Sequence, residues 1–154
     1  MKTLASAADI RAAPAVVWGV LTRFAAYPDW TAAVRVNGGL SAGADLNFAV
    51  TTATRRGASR IIRFMGTIEA VEPTRRLTWR VGVPFILHWR FNLRLEPRGA
   101  TTHFTHEMEI SGLGAVWAYP RLDRLVTPTL RRFVDDLKRQ SERAQARARP
   151  GRRP

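Results

Sequence analysis

Residues 101–112 read "TTHFTHEMEISG". The stretch holds two histidines and two glutamates close together, and the backbone on which they sit decides both the fold and the chemistry. On a helix, His103, His106 and Glu107 would converge as a metal or acid/base cluster. On a strand, successive side chains point to opposite faces. Threonines at 101, 102 and 105 and strict alternation favour the strand. His103, Thr105, Glu107 and Glu109 then share one face, and Phe104, His106, Met108 and Ile110 the other. Two histidines on opposite faces cannot hold one metal ion, so no metal site is expected.

The preceding run, "HWRFNLRLEPRGA" (88–100), alternates in the same way. A hairpin that pairs Glu96 with Thr101 would set Arg90 opposite Glu107, His88 opposite Glu109 and Arg94 opposite His103. On the other face it would set Phe91 opposite His106, Trp89 opposite Met108 and Leu93 opposite Phe104. The glutamates then serve as partners for outer-face cations. His106 is left as the lone ionisable group on the apolar face of its strand, expected as a core histidine hydrogen-bonded to a neighbour, the alternative being a polar contact inside a cavity with its pKa lowered by desolvation.

The same period of two recurs upstream. Leu46, Phe48 and Val50 share a face, as do Ile62, Phe64 and Ile68, and then Leu77, Trp79, Val81 and Val83. "EPTRR" and "EPRGA" are the expected turns between runs, and "NGG" at 37–39 another. Before the sheet, residues 3–10 form a short strand. "APAVVWGVLTRF" opens a helix near Pro14 with Val17, Trp18, Leu21 and Phe24 on one side. Asp29, after Pro28, is a candidate N-cap for a second short helix. From about Trp117 the period becomes helical, with Leu122, Leu125, Val126, Leu130, Phe133, Val134 and Leu137 in one stripe. Pro128 lies inside that pattern and is expected to kink or divide the helix. An antiparallel meander with one apolar face needs a cover, and this helix is the only long one available.

Composition narrows the function. The chain has 154 residues, no cysteine and a net charge of +13. One domain fits that length. No thiolate metal site, disulfide or cysteine nucleophile is available. Without a signal-peptide-like apolar segment or an eighteen-residue apolar run, a cytoplasmic protein is expected. Of the 25 basic residues 23 are Arg, which reads as an Arg-rich background. Contact with nucleic acid or an anionic membrane through the basic surface is a secondary expectation. Residues 143–154, "RAQARARPGRRP", carry five arginines and no large apolar side chain, and are expected to be a disordered tail outside a domain of residues 1–142.

Four pieces, "IRAAPAVVWGVLTRFAAYPDW" (10–30), "RLTWRV" (76–81), "HWRFNLRLEPRGATTHFTHEMEISG" (88–112) and "LKRQSE" (137–142), resemble the START-like or SRPBCC superfamily, and within it the polyketide cyclase/dehydrase-type bacterial proteins. The likeness spans about residues 2–142. It implies an α+β helix-grip fold: a curved antiparallel sheet of six or seven strands around a long C-terminal helix, with two short helices after the first strand. It also implies a deep apolar cavity for a lipid, polyketide or quinone-like molecule, placing Trp30 and Tyr119 near its entrance.

The inward face derived above carries Phe48, Phe64, Trp79, Trp89, Phe91, Phe104, His106 and Met108 as candidate ligand contacts, around a hollow of the order of a few hundred Å³. "SGLGAVWAYP" (111–120), with glycines at 112 and 114, suits a lid or a plain strand-to-helix connection. No phosphate loop, H-E-x-x-H or serine elbow occurs, and no cofactor is expected. The leading expectation is a carrier or sensor for a hydrophobic small molecule. The alternative is a cyclase, aromatase or dehydrase using His106 as acid/base.

Overall fold

The computed structural model describes residues 2–53, 56–83 and 85–148, apart from the side chain at 53. Seven strands form one antiparallel sheet: β1 (Lys2–Ile10), β2 (Val34–Gly38), β3 (Asp45–Ala53), β4 (Ser59–Glu72), β5 (Arg76–Val83), β6 (Leu87–Arg98) and β7 (Thr101–Ser111). Their spatial order is β1-β7-β6-β5-β4-β3-β2. Helix α1 (Pro14–Thr22) and a 3₁₀ helix (Phe24–Asp29) carry the chain from one edge of the sheet to the other, and α2 (Ala115–Ala148) lies across the concave face. This is the helix-grip arrangement that the resemblance implied.

Alternation places most of the core as expected, although Val83, grouped with Leu77, Trp79 and Val81, is 56% exposed. Phe48, Trp79, Phe91, Leu93, Phe104 and Met108 are all buried, and α2 meets them with Val126, Leu130, Phe133, Val134 and Leu137. Leu125, assigned to the same stripe, is instead 42% exposed. Each fully buried side chain of this kind contributes about 1.5–3 kcal/mol relative to exposure, so α2 is held chiefly by packing. Pro120 and Pro128 lie within α2 without dividing it. Thr127 beside Pro128 donates its hydroxyl to the Asp123 carboxylate one turn earlier, at 2.7 Å.

The sheet bends where β4 carries a bulge between Ile68 and Ala70. Bulges increase local twist. Ile68 and Val71 both reach the core although three residues apart, and Glu69 is turned to the outer face. Just before the bulge, a Cβ at Gly66 would lie 2.1 Å from the Arg80 carbonyl oxygen, so only glycine permits this approach of β4 to β5.

Several local expectations are corrected. The β6–β7 hairpin is tighter than a Glu96–Thr101 pairing: Arg98 faces Thr101 around a two-residue turn of Gly99 and Ala100. Gly99 has φ 60°, the conformation a two-residue hairpin asks of its first turn residue. The register moves by two, which keeps every side chain on its expected face and changes its partner. Arg90 faces Glu109, Arg94 faces Thr105, Glu96 faces His103, Phe91 faces Met108 and Leu93 faces His106.

The second short helix ends at Asp29 instead of starting there. Val34–Gly38, which takes in the first two residues of "NGG", is an edge strand with Val34 and Val36 buried. The 143–148 part of the stretch expected to be disordered continues α2, while 149–154 lies outside the described residues. Gln145 there accepts the Ala13 backbone N–H at 2.9 Å, and Glu142 accepts that of Arg11 at 3.1 Å. The helix thereby satisfies donors at the start of α1, whose own N-cap residue makes no side-chain bond.

Candidate functional site

The inward aromatic side chains form a chain of contacts instead of the walls of a large hollow. Phe48 lies 5.0 Å from Phe91 and 5.8 Å from Trp79 between ring centroids. Phe91 lies 5.8 Å from His106, and His106 lies 5.6 Å from Phe133 of α2. Phe133 in turn meets Tyr27 at 5.8 Å and Trp30 at 5.7 Å. Among the described residues, the space between sheet and helix bounded by Phe48, Phe64, Trp89, Phe91, Met108, Leu122 and Val126 measures about 10 Å³. The expected interior cavity of a few hundred Å³ is therefore corrected. Leu122 and Val126 of α2 close on that space, and further along the helix Phe133 packs against His106, Tyr27 and Trp30.

A hollow of the expected size lies beside it. Between the 3₁₀ helix and strands β2, β3 and β4 an open cleft encloses about 750 Å³. Phe24, Pro28, Val36, Phe48, Phe64 and Met65 supply its apolar lining, with Arg35, Asn37, Asn47 and Arg63 among the polar contributors. Phe48 and Phe64 line both the cleft and the internal remnant. Their rings stack at 6.3 Å, and Phe64 meets Trp89 edge-on at 4.9 Å. A displacement of the half-buried Phe64 ring would join the two spaces.

Of the ten candidate contacts, Phe48 and Phe64 reach the cleft, and Trp89, Phe91 and Met108 stand behind them. Trp79, Phe104 and His106 lie in the core. Trp30 packs against Tyr27 at 4.8 Å and lines a separate polar hollow with Arg35, Arg132, Asp136 and Arg139. Tyr119 lies under the Lys2 ammonium, 5.5 Å from ring centre to Nζ, and lines neither cleft nor core remnant. Sequence reasoning missed Phe24 and Val36: one was assigned to the face of α1, and the other lies on a strand that was not expected. The signal for Val36 was the short "VRV" alternation, which the neighbouring "NGG" concealed.

His106 is 2% exposed, and burial pushes its pKa down to about 4, so it is neutral near pH 7. Neither ring nitrogen has a hydrogen-bond partner among the described residues, unlike the bonded core histidine expected. The indole N–H of Trp79 is also buried and unpaired. Orphaned buried groups are uncommon, and they lend a core affinity for a polar atom that fits.

The outer face is occupied by ion pairs. Glu69 accepts from Arg90 at 2.8 Å and lies 3.7 Å from Arg80; Glu109 lies 3.7 Å from Arg90 and Glu107 3.6 Å from Arg94. The Glu69 hydrogen bond raises the pKa of Arg90. His103 bonds Asp9 at 2.7 Å, which holds the Asp9 carboxyl below its ordinary range, and His88 bonds Ser111 at 2.7 Å. The four acidic and imidazole groups of 101–112 are thus divided between faces. Among the described residues no group of three or more His, Cys, Asp or Glu could hold a metal ion.

A family model described as polyketide cyclase / dehydrase and lipid transport matches residues 1–142. The chain belongs to that family. No curated protein matches it. Among solved structures this cyclase/dehydrase-family chain is similar to a Streptomyces aromatase/cyclase, with 16% identity and a TM-score of 0.70 over 97% of this chain and 98% of that one. It is also similar to Ara h 8.0201, at 12% identity and TM-score 0.65 over 94% and 98% of the two chains. A Chromobacterium violaceum protein matches at 12% identity and TM-score 0.67, over 92% and 99%. At such identities the likeness establishes the helix-grip fold. Among the described residues no helix is long and apolar enough to cross a membrane.

Proposed function

We propose that this protein binds a hydrophobic small molecule, lipid-, polyketide- or quinone-like, as a carrier or sensor. The observation that carries the reading is the apolar cleft of about 750 Å³ whose floor, Phe48 and Phe64, is shared with the core. Clefts of this size, mostly apolar with a few polar groups, suit small ligands. The ligand's body rests on Phe24, Val36, Phe48 and Phe64. An acidic or carbonyl head lies towards Arg35 and Arg63, guanidiniums being suited to oxygen acceptors. Once Phe64 turns aside, Trp89, Phe91 and Met108 extend the contact.

Native mass spectrometry of protein purified from its own host is the test, followed by displacement titrations on Val36→Glu and Phe64→Glu. A co-purified apolar compound whose affinity falls in both variants supports the reading. An empty protein, or variants that bind as tightly as the parent, refutes it.

A cyclase or dehydrase activity is a second reading, favoured by the neutral, unpartnered imidazole of His106. A general acid or base needs reach to its substrate and a group that orients it. His106 does not line the cleft, so substrate would have to enter the core. Loss of turnover in His106→Ala with binding retained would mark this reading; unchanged turnover would remove it.

A further inference from the structure

The tip of the β5–β6 hairpin and the junction between β7 and α2 are tied together by backbone hydrogen bonds. Leu113 N–H donates to the Phe85 carbonyl at 3.0 Å, and Gly114 N–H to that of Ile86 at 2.8 Å. On this joined platform the side chains of Phe85, Ile86, Leu113, Val116 and Trp117 are exposed, three of them by 83–88%. A side chain that open lies on a projection, not in a groove. Isolated exposed apolar residues are ordinary, but a contiguous aromatic and aliphatic fringe marks an interaction surface.

Its charge setting narrows the partner. Residues 81–88, "VGVPFILH", and 111–122, "SGLGAVWAYPRL", contain no carboxylate. Of the bordering acids, Glu109 is paired with Arg90, and Asp123 keeps its charge while accepting from the Thr127 hydroxyl. Exposed Arg121 follows Trp117 by one helical turn, with Arg124 by two, and Lys2 sits over the adjacent Tyr119 ring. An apolar, aromatic projection with Lys2, Arg121 and Arg124 on its α2 side matches the interface of an anionic bilayer, where rings enter the headgroup boundary and cations meet lipid phosphates.

We propose that this platform is a docking site for an anionic lipid surface. The same opening turns of α2 send Trp117 to solvent and Leu122 and Val126 to the core remnant, so docking would bring the bilayer to the end of the helix that covers the interior. The platform shares no residue with the cleft, and the assignment does not depend on any ligand there.

Flotation of the full chain with vesicles of phosphatidylcholine, with and without phosphatidylglycerol, tests it. Binding to the phosphatidylglycerol vesicles is expected. Phe85→Glu or Trp117→Glu, both at exposed positions that folding does not need, should weaken it at least about tenfold, the worth of one buried aromatic side chain. Ile61→Glu, the same charge change at an exposed site on β4, should bind much as the parent does. Absence of parent binding, or equal losses in all three variants, overturns the proposal. So does equal binding to phosphatidylcholine alone, or a dimer in sedimentation that Trp117→Glu dissociates, which would make a second copy the occupant.

Discussion

Phe48 and Phe64 face each other across the β3–β4 ladder with their rings stacked at 6.3 Å, and each borders both the open cleft and the small internal space. Only this pair of the ten candidate contacts touches both. Phe64→Ala should therefore enlarge the apolar volume by joining the spaces and change the affinity for a fluorescent fatty-acid analogue. Phe64→Trp should narrow the passage. If both variants bind the probe like the parent, ligand does not pass this point.

His106 gives the protein an acid-sensitive core. Above its ordinary pKa of 6.5 the ring is neutral in folded and unfolded chains, and it adds no pH dependence. Below that, the unfolded chain takes up a proton that the folded chain refuses until about pH 4, so stability falls as pH falls through this window. One such proton corresponds to a slope of about 1.4 kcal/mol per pH unit. Urea midpoints of the parent and His106→Leu between pH 6.5 and 5 should diverge in slope by roughly this amount. Parallel curves would show that the imidazole is not desolvated as described.

Phe133 joins the sheet aromatics to Tyr27 and Trp30, and is almost wholly buried. Phe133→Ala should cost about 3–5 kcal/mol in denaturant unfolding. It should also open a hollow beneath His106 where xenon or benzene can bind. A loss under about 1 kcal/mol would mean that the core collapses around the gap.

Truncation after Glu142 removes the Gln145 acceptor that holds the Ala13 N–H. A loss of about 0.5–1.5 kcal/mol is expected for one hydrogen bond. Unchanged unfolding would return residues 143–148 to the status of a dispensable tail.

The outer-face ion pairs should matter little. Glu69 is paired with two arginines that are each nearly half exposed, and exposed pairs contribute about 0–1 kcal/mol. Glu69→Gln should shift the melting temperature slightly at low salt and less at high salt. A large, salt-independent loss would point instead to a packing role.

Much of the fold is legible in the order of residues because alternation is a local property. "HFTHEMEI" separates its two histidines on any strand, whatever lies across from it. That settles the absence of a shared metal site between His103 and His106 before any partner strand is known. The register resisted because "EPRGAT" accommodates turns of different length, and a shift of two residues preserves every face while changing every partner. The other edge strand, β2, resisted for another reason. Five residues ending in Asn-Gly look like a turn until β3 supplies the other half of the ladder.

By itself the sequence determined which side chains share a face of each strand, that six periodic runs need a covering helix, and that no thiol chemistry is available. Those follow from periodicity and composition, which require no knowledge of distant neighbours. Only the tertiary structure decided how far α2 sinks into the sheet. Volume between packed elements depends on which side chains interdigitate across long sequence separations. That is why Leu122 and Val126 leave so little interior space, why the hollow opens beside Phe48 and Phe64, and why Phe85 and Trp117, far apart along the chain, share one exposed platform.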